Sequence, residues 1–174
     1  MIAARMKSHL TVVAVIGLAL GGVFGLVGTV VTSQNLRAAA WGIDGVGLVV
    51  ATSLLTLRFF RKGNDCVAAG FLVFAIGEGV MLSGTAAPLA ESVPSFAAGT
   101  ALWSAALLLT SIPREFAGWI RLAGVIGSVL FAITAARSFW GEQVLPTASP
   151  LPFFAYPLLV LTFVGWIWTL LKAD

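Results

Sequence analysis

The chain has 174 residues, of which 59% are hydrophobic and only 10% charged, and its mean hydropathy is +1.02. A soluble domain carries about 25% charged residues, so a surface this poor in charge excludes an ordinary water-facing fold and is expected to face lipid. The formal charge of +3 does not point to nucleic acid, because the Lys and Arg side chains fall between apolar runs and do not gather on one face.

The single cysteine, Cys66, excludes an intramolecular disulfide, and the single histidine is His9. Metal centres need several Cys, His or carboxylate ligands, and Ser-His-Asp or Cys-His catalysis needs a placed histidine. No metal and no cofactor are therefore expected. His9 reads as an interfacial residue and Cys66 as an inert small one.

Met1 to His9 is basic and leads into apolar sequence, as a signal peptide does. The uncharged stretch from Leu10 to Asn35 outlasts the roughly 7–15 residues of a signal core, so it is read as a retained first span. Six apolar segments follow one another: about Leu10–Thr32, Ala38–Phe60, Cys66–Ala87, Phe96–Ile112, Phe116–Ser138 and Leu151–Leu171. Each is near the roughly 17–25 residues a spanning helix needs, and none alternates as a barrel strand does. The expected fold is an all-α integral membrane protein, a single domain over residues 1–174 built as a bundle of six transmembrane helices. Short connections predict antiparallel neighbours. The two halves of the chain do not match in chemistry, so inverted repeats are not expected.

Threading follows from Lys and Arg. With the N-terminus inside, Arg5, Lys7, Arg58, Arg61, Lys62, Arg114, Arg121 and Lys172 are cytoplasmic, and only Arg37 and Arg137 are outside. That asymmetry predicts both termini cytoplasmic, in what is expected to be a bacterial inner membrane. Trp41 and Trp140 fall at the outer boundary, and Trp119, Trp166 and Trp168 near the inner one; Trp103 is placed near mid-membrane.

The first span carries Gly17, Gly21 and Gly25 at spacing four, with Gly28 a turn on. Such a small-xxx-small ridge lets helix backbones approach closely. It serves packing against a neighbouring helix inside the bundle or, on the sharper reading, a homo-oligomer or membrane-protein partner. Ala75, Gly79 and Ser83 on the third span and Ala97, Ala101 and Ala105 on the fourth repeat the device.

In the second span Asp44 sits about two turns inside the outer boundary, with Arg37 seven residues earlier on the same face and Trp41 between. A charge pair of Asp44 with Arg37, or failing that with Arg137, is expected; the functional alternative is an entrance site. Around residue 150, Pro146, Pro150 and Pro152 forbid a regular helix, and Pro157 should kink the sixth span or mark its start.

The third span supplies the central candidate, Glu78, in Phe71-Leu72-Val73-Phe74-Ala75-Ile76-Gly77-Glu78-Gly79-Val80-Met81-Leu82. A charge at mid-bilayer costs roughly 2.5–3.5 kcal/mol on insertion scales, so it is rare without a reason. Gly77 and Gly79 should leave room for a neighbour or a ligand. On its own helix only Thr85 among the residues sharing its face is polar, so Glu78 must find partners on another helix or in a ligand. Phe71, Phe74 and Trp103 could offer aromatic faces to a cation. The ligand- or proton-binding set is therefore Glu78, Asp44, Thr85 and Trp103. It points to a small proton-coupled or cation-selective transport protein. The alternative is a non-catalytic accessory, assembly or sensor subunit, with Glu78 fixing helix register. A lipid-processing enzyme is the third option, with no catalytic cluster or phosphate-gripping loop to support it.

Overall fold

Continuous apolar sequence keeps its backbone polar groups satisfied within helices, and this chain is helical nearly throughout. The computed structural model describes residues 2–172, with side chains from His9 onward. Arg5 and Lys7, used in the threading, lie outside the described side chains. The elements are α1 (Ile2–Val30), α2 (Gln34–Arg61), α3 (Asp65–Leu82), α4 (Val93–Ser111), α5 (Gly118–Phe139) and α6 (Tyr156–Lys172), and no strand occurs among the described residues. Five are long and apolar enough to cross a membrane, while α6 has 17 residues and is shorter than the sixth predicted span.

Local chemistry explains the ends. Gly63, at φ +73°, makes the left-handed turn after α2. The Asn64 side chain then accepts from the Val67 N–H at 3.3 Å and caps α3. Pro94 occupies the first turn of α4, where its missing N–H costs nothing. Arg121 donates from Nε to the Ser111 carbonyl (2.7 Å) and from Nη2 to that of Ile112 (3.0 Å), satisfying the last carbonyls of α4. Pro157 marks the start of α6, in its first turn, and does not kink it. The third span stops early: α3 ends at Leu82, and turns fill most of residues 83–92.

Each helix packs on its chain neighbours, and α6 closes the ring against α1. The α1 ridge is taken up by α2. A Cβ at Gly17 would strike the Gly47 carbonyl oxygen and come within 2.9 Å of Ala51 Cβ; one at Gly21 would strike Leu48, and one at Gly28 the Trp41 indole. The third-span ridge differs from expectation. Gly77 does pack, with Leu102 Cβ 3.0 Å from where its own Cβ would stand, but Gly79 is exposed with nothing within 4 Å. Ser83 and Ala105 also face outward. The close α3–α4 approach runs instead through Gly70, Gly77 and Gly99.

Aromatic side chains fill the centre of the ring. Phe71 of α3 meets Trp166 of α6 at 4.8 Å between centroids, Phe59 stacks on Phe71 at 5.4 Å, and Phe116 joins from the α4–α5 connection. The column continues through Phe74 and Phe163 to Trp103 and Phe131. Edge-to-face and stacked pairs of this kind are worth about 0.5–1.5 kcal/mol each beyond area burial. Outside the ring, α1 shows Val12, Ile16, Val23 and Val27 to its surroundings, an apolar exterior suited to lipid.

Candidate functional site

At the end of the bundle that carries the α1–α2, α3–α4 and α5–α6 connections, the aromatic column gives way to a cavity of about 310 Å³. Thr32, Gln34 and Pro88 line its exposed rim, and Asp44, Glu78, Trp103 and Tyr156 line its depth. The early end of α3 makes this space. Glu78 therefore stands one turn from the helix terminus, not at the middle of a span as its place in the apolar run suggested.

Glu78 is 2% exposed and Asp44 9%. The Gly25 position on α1 lies against the Asp44 carboxylate, so the ridge that joins α1 to α2 also seats this side chain. Thr85 lies past the end of α3, not on its face; it lines the cavity and donates from Oγ1 to the Leu82 carbonyl at 3.0 Å. Trp103 stacks one face on Phe74, with centroids 5.7 Å apart and planes 10° apart, and lies edge-on to Phe131. That face is thus occupied by Phe74, and the indole N–H is the polar group Trp103 brings to the cavity.

Ser92, Ser95 and Thr85 donate to backbone carbonyls nearby. Tyr156 donates to the Pro146 carbonyl at 2.8 Å, and the Trp41 indole to that of Gly25 at 3.3 Å. Among the described residues four buried atoms make no well-formed hydrogen bond: Asp44 Oδ1, Glu78 Oε1, Trp103 Nε1 and Arg37 Nε, although the Trp103 N–H adjoins the Glu78 carboxyl. All four belong to residues lining the one cavity. Buried polar atoms are nearly always paired, and each exception asks for a reason such as a ligand. Two carboxyl groups facing one low-dielectric space attract a cation or a proton strongly, and repel each other without one.

The expected charge pair is not made. Arg37 donates from Nη2 to the Val31 carbonyl at 2.6 Å and holds its guanidinium 5.9 Å from the Trp41 ring centre. Short local partners thus win over the reach to Asp44. Arg137 bonds Glu142 bidentately, with Nε 2.7 Å from Oε2. That contact holds the Glu142 carboxyl below its ordinary range.

The structure brings Glu78, Asp44, Thr85 and Trp103 to one cavity, adds Arg37 to it, and leaves Arg137 outside. Tyr156, Trp41 and Phe96 are lining residues that sequence reasoning did not select. Tyr156 had one available signal, as the sole tyrosine at the mouth of the sixth span. Among the described residues no third His, Cys, Asp or Glu joins the two carboxylates in a metal-sized group.

The chain is an all-helical bundle whose helix length and composition are those of a polytopic membrane protein, with five helices long and apolar enough to span. Comparison with protein-family models, with characterised proteins and with solved structures finds no match to this chain.

Proposed function

We propose that this chain is a small polytopic membrane transport protein that admits a cation or a proton into a cavity open at one end. One observation carries the reading: Asp44 Oδ1 and Glu78 Oε1, both buried and unpaired, belong to residues lining the same space. Carboxylates in a bundle interior mark ion and proton paths more often than they serve packing alone. On this reading both termini are cytoplasmic and the cavity mouth faces outside, which the Lys and Arg distribution supports. The inner membrane of a bacterium is the location this reading implies.

The aromatic column from Phe59 and Phe71 to Trp103 separates the cavity from the other end of the bundle. A carrier built this way needs a second state in which that column parts. The same column favours a second reading, a receptor-like accessory or sensor subunit that binds without translocating.

The test is reconstitution of the full chain in vesicles holding a pH-reporting dye, with small amines and alkali cations as probes from about pH 5 to 9. Cation-driven proton movement that disappears in Glu78→Gln, with an unchanged melting curve, supports transport. Saturable binding with no flux supports the sensor subunit. Undiminished pH-dependent flux in Glu78→Gln defeats the role given to this carboxyl.

A further inference from the structure

The cavity is not acidic throughout. Arg37 lines it too, and its buried Nε is one of the four unpartnered atoms. Arg37 and Asp44 share a face of α2 seven residues apart, which is about 10 Å along the helix axis. A flexible arginine could close much of that gap, yet this one is tethered. The Val31 carbonyl holds Nη2, and the Trp41 ring lies beneath the guanidinium. Opposite charges are therefore held apart along one wall of one cavity, when direct pairing would have satisfied both. A guanidinium on the wall also disfavours a bare cation, since it repels any positive charge that enters.

We propose that the solute is a zwitterion, with its ammonium group on Asp44 and Glu78 and its anionic group on Arg37. This rests on reading the cavity as a solute site and narrows it to a substrate class. The Trp103 N–H adjoins the Glu78 carboxyl and adds a donor beside it. Arg37 and Asp44 stand two turns apart on α2, and the guanidinium is held on Val31 and Trp41 without pairing Asp44, so a solute whose own charges are separated by an aliphatic stem, an ω-amino acid, suits this wall better than an α-amino acid with adjacent charges. At about 310 Å³ the cavity lies at the small end of ligand pockets and suits a solute of this size.

The experiment is calorimetric titration of the full chain in detergent with four probes: 5-aminopentanoate, its isomer 2-aminopentanoate, pentylamine and pentanoate. The ω-amino acid is expected to bind at least tenfold more tightly than any of the other three. Arg37→Gln should bring 5-aminopentanoate and pentylamine to equal affinity, and the Asp44→Asn, Glu78→Gln double variant should abolish binding of both. Pentylamine binding wild-type protein as tightly as 5-aminopentanoate overturns the zwitterion and leaves the cation site standing. Equal binding of the two isomers overturns the spacing argument and with it the ω-amino acid class. Absence of binding by all four overturns both the substrate class and the solute-site reading. The four-probe comparison on wild-type protein decides the matter even if a variant does not fold.

Discussion

Gly25 of α1 stands directly behind the carboxylate of Asp44 on α2: a Cβ at position 25 would lie 3.2 Å from Oδ2 and 3.4 Å from Oδ1. The absence of a side chain there gives a carboxylate room in a helix–helix interface beside the cavity. Gly25→Val is therefore expected to push Asp44 out of place. Overpacking of this kind costs typically 1–3 kcal/mol, so the melting temperature in detergent should fall and binding of a cationic probe should weaken several-fold. Wild-type binding in a folded Gly25→Val protein would show that the carboxylate is not held by this contact.

Two other glycines should respond in opposite directions. At Gly17 a new Cβ meets backbone, the Gly47 carbonyl, which cannot rotate away. Gly17→Ala should lower stability by about 1–3 kcal/mol. Gly79 is exposed with open space around it, so Gly79→Ala should be neutral or stabilising by up to about 1 kcal/mol through helix propensity. Thermal melts of the two variants side by side check the assignment, and equal losses would place Gly79 in an interface.

Asp44 and Arg37 are expected to act independently when no ligand is bound. They make no ion pair, and Arg37 is engaged by Val31 and Trp41. The stability changes of Arg37→Gln and Asp44→Asn should add to within about 0.5 kcal/mol in the double variant. A coupling well above that would mean the two charges meet.

Glu142 lies outside the membrane-spanning segments, and its carboxyl is depressed chiefly by the hydrogen bonds from Arg137, with desolvation opposing and the charge of Arg137 assisting. A group whose folded pKa is lowered contributes stability above its unfolded pKa and loses it as pH falls through the folded one. The contribution is therefore present at neutral pH, starts to fall near the ordinary glutamate value of about 4.3 and is lost as the pH drops through the lower folded value. Both side chains are exposed, so the effect is small and weakened by salt. Melting curves of wild-type protein and Glu142→Gln should differ slightly at pH 7 and converge in acid; a constant offset at every pH would assign the difference to packing of the loop.

The orientation in the membrane is testable by labelling single cysteines in a Cys66→Ser background. Cysteines at Glu91 and Gln143 should react with an impermeant reagent from outside, and one at Lys62 only after the membrane is opened. This follows from the crowding of Lys and Arg at the end of the bundle opposite the cavity. Lys62 labelling from outside would reverse the threading and turn the cavity toward the cytoplasm.

Run length and the energetic cost of intramembrane charge were legible in the sequence. Apolar runs declared six helices because a backbone surrounded by hydrocarbon must bond to itself. Glu78 and Asp44 stood out because carboxylates in such runs are costly, and the glycine ridge of α1 declared a close helix contact by its spacing alone. Which way each helix turns could not be read there. A helical period relates residues of one helix to one another, but rotation about the axis is settled by what the neighbours present. Gly79 and Gly77 are two residues apart, and only the packing of α3 on α4 at Gly70 and Gly99 decided that one is buried and the other faces outward. Arg37 and Asp44 share a face and carry opposite charge, yet Val31 and Trp41 capture the guanidinium because they lie within its reach without disturbing α2. The early end of α3 at Leu82, the arrival of Tyr156 from the far end of the chain, and the aromatic column beneath all belong to the closed ring of six helices. The cavity is the space those contacts leave, and only their joint geometry determines where it opens and which side chains enter it.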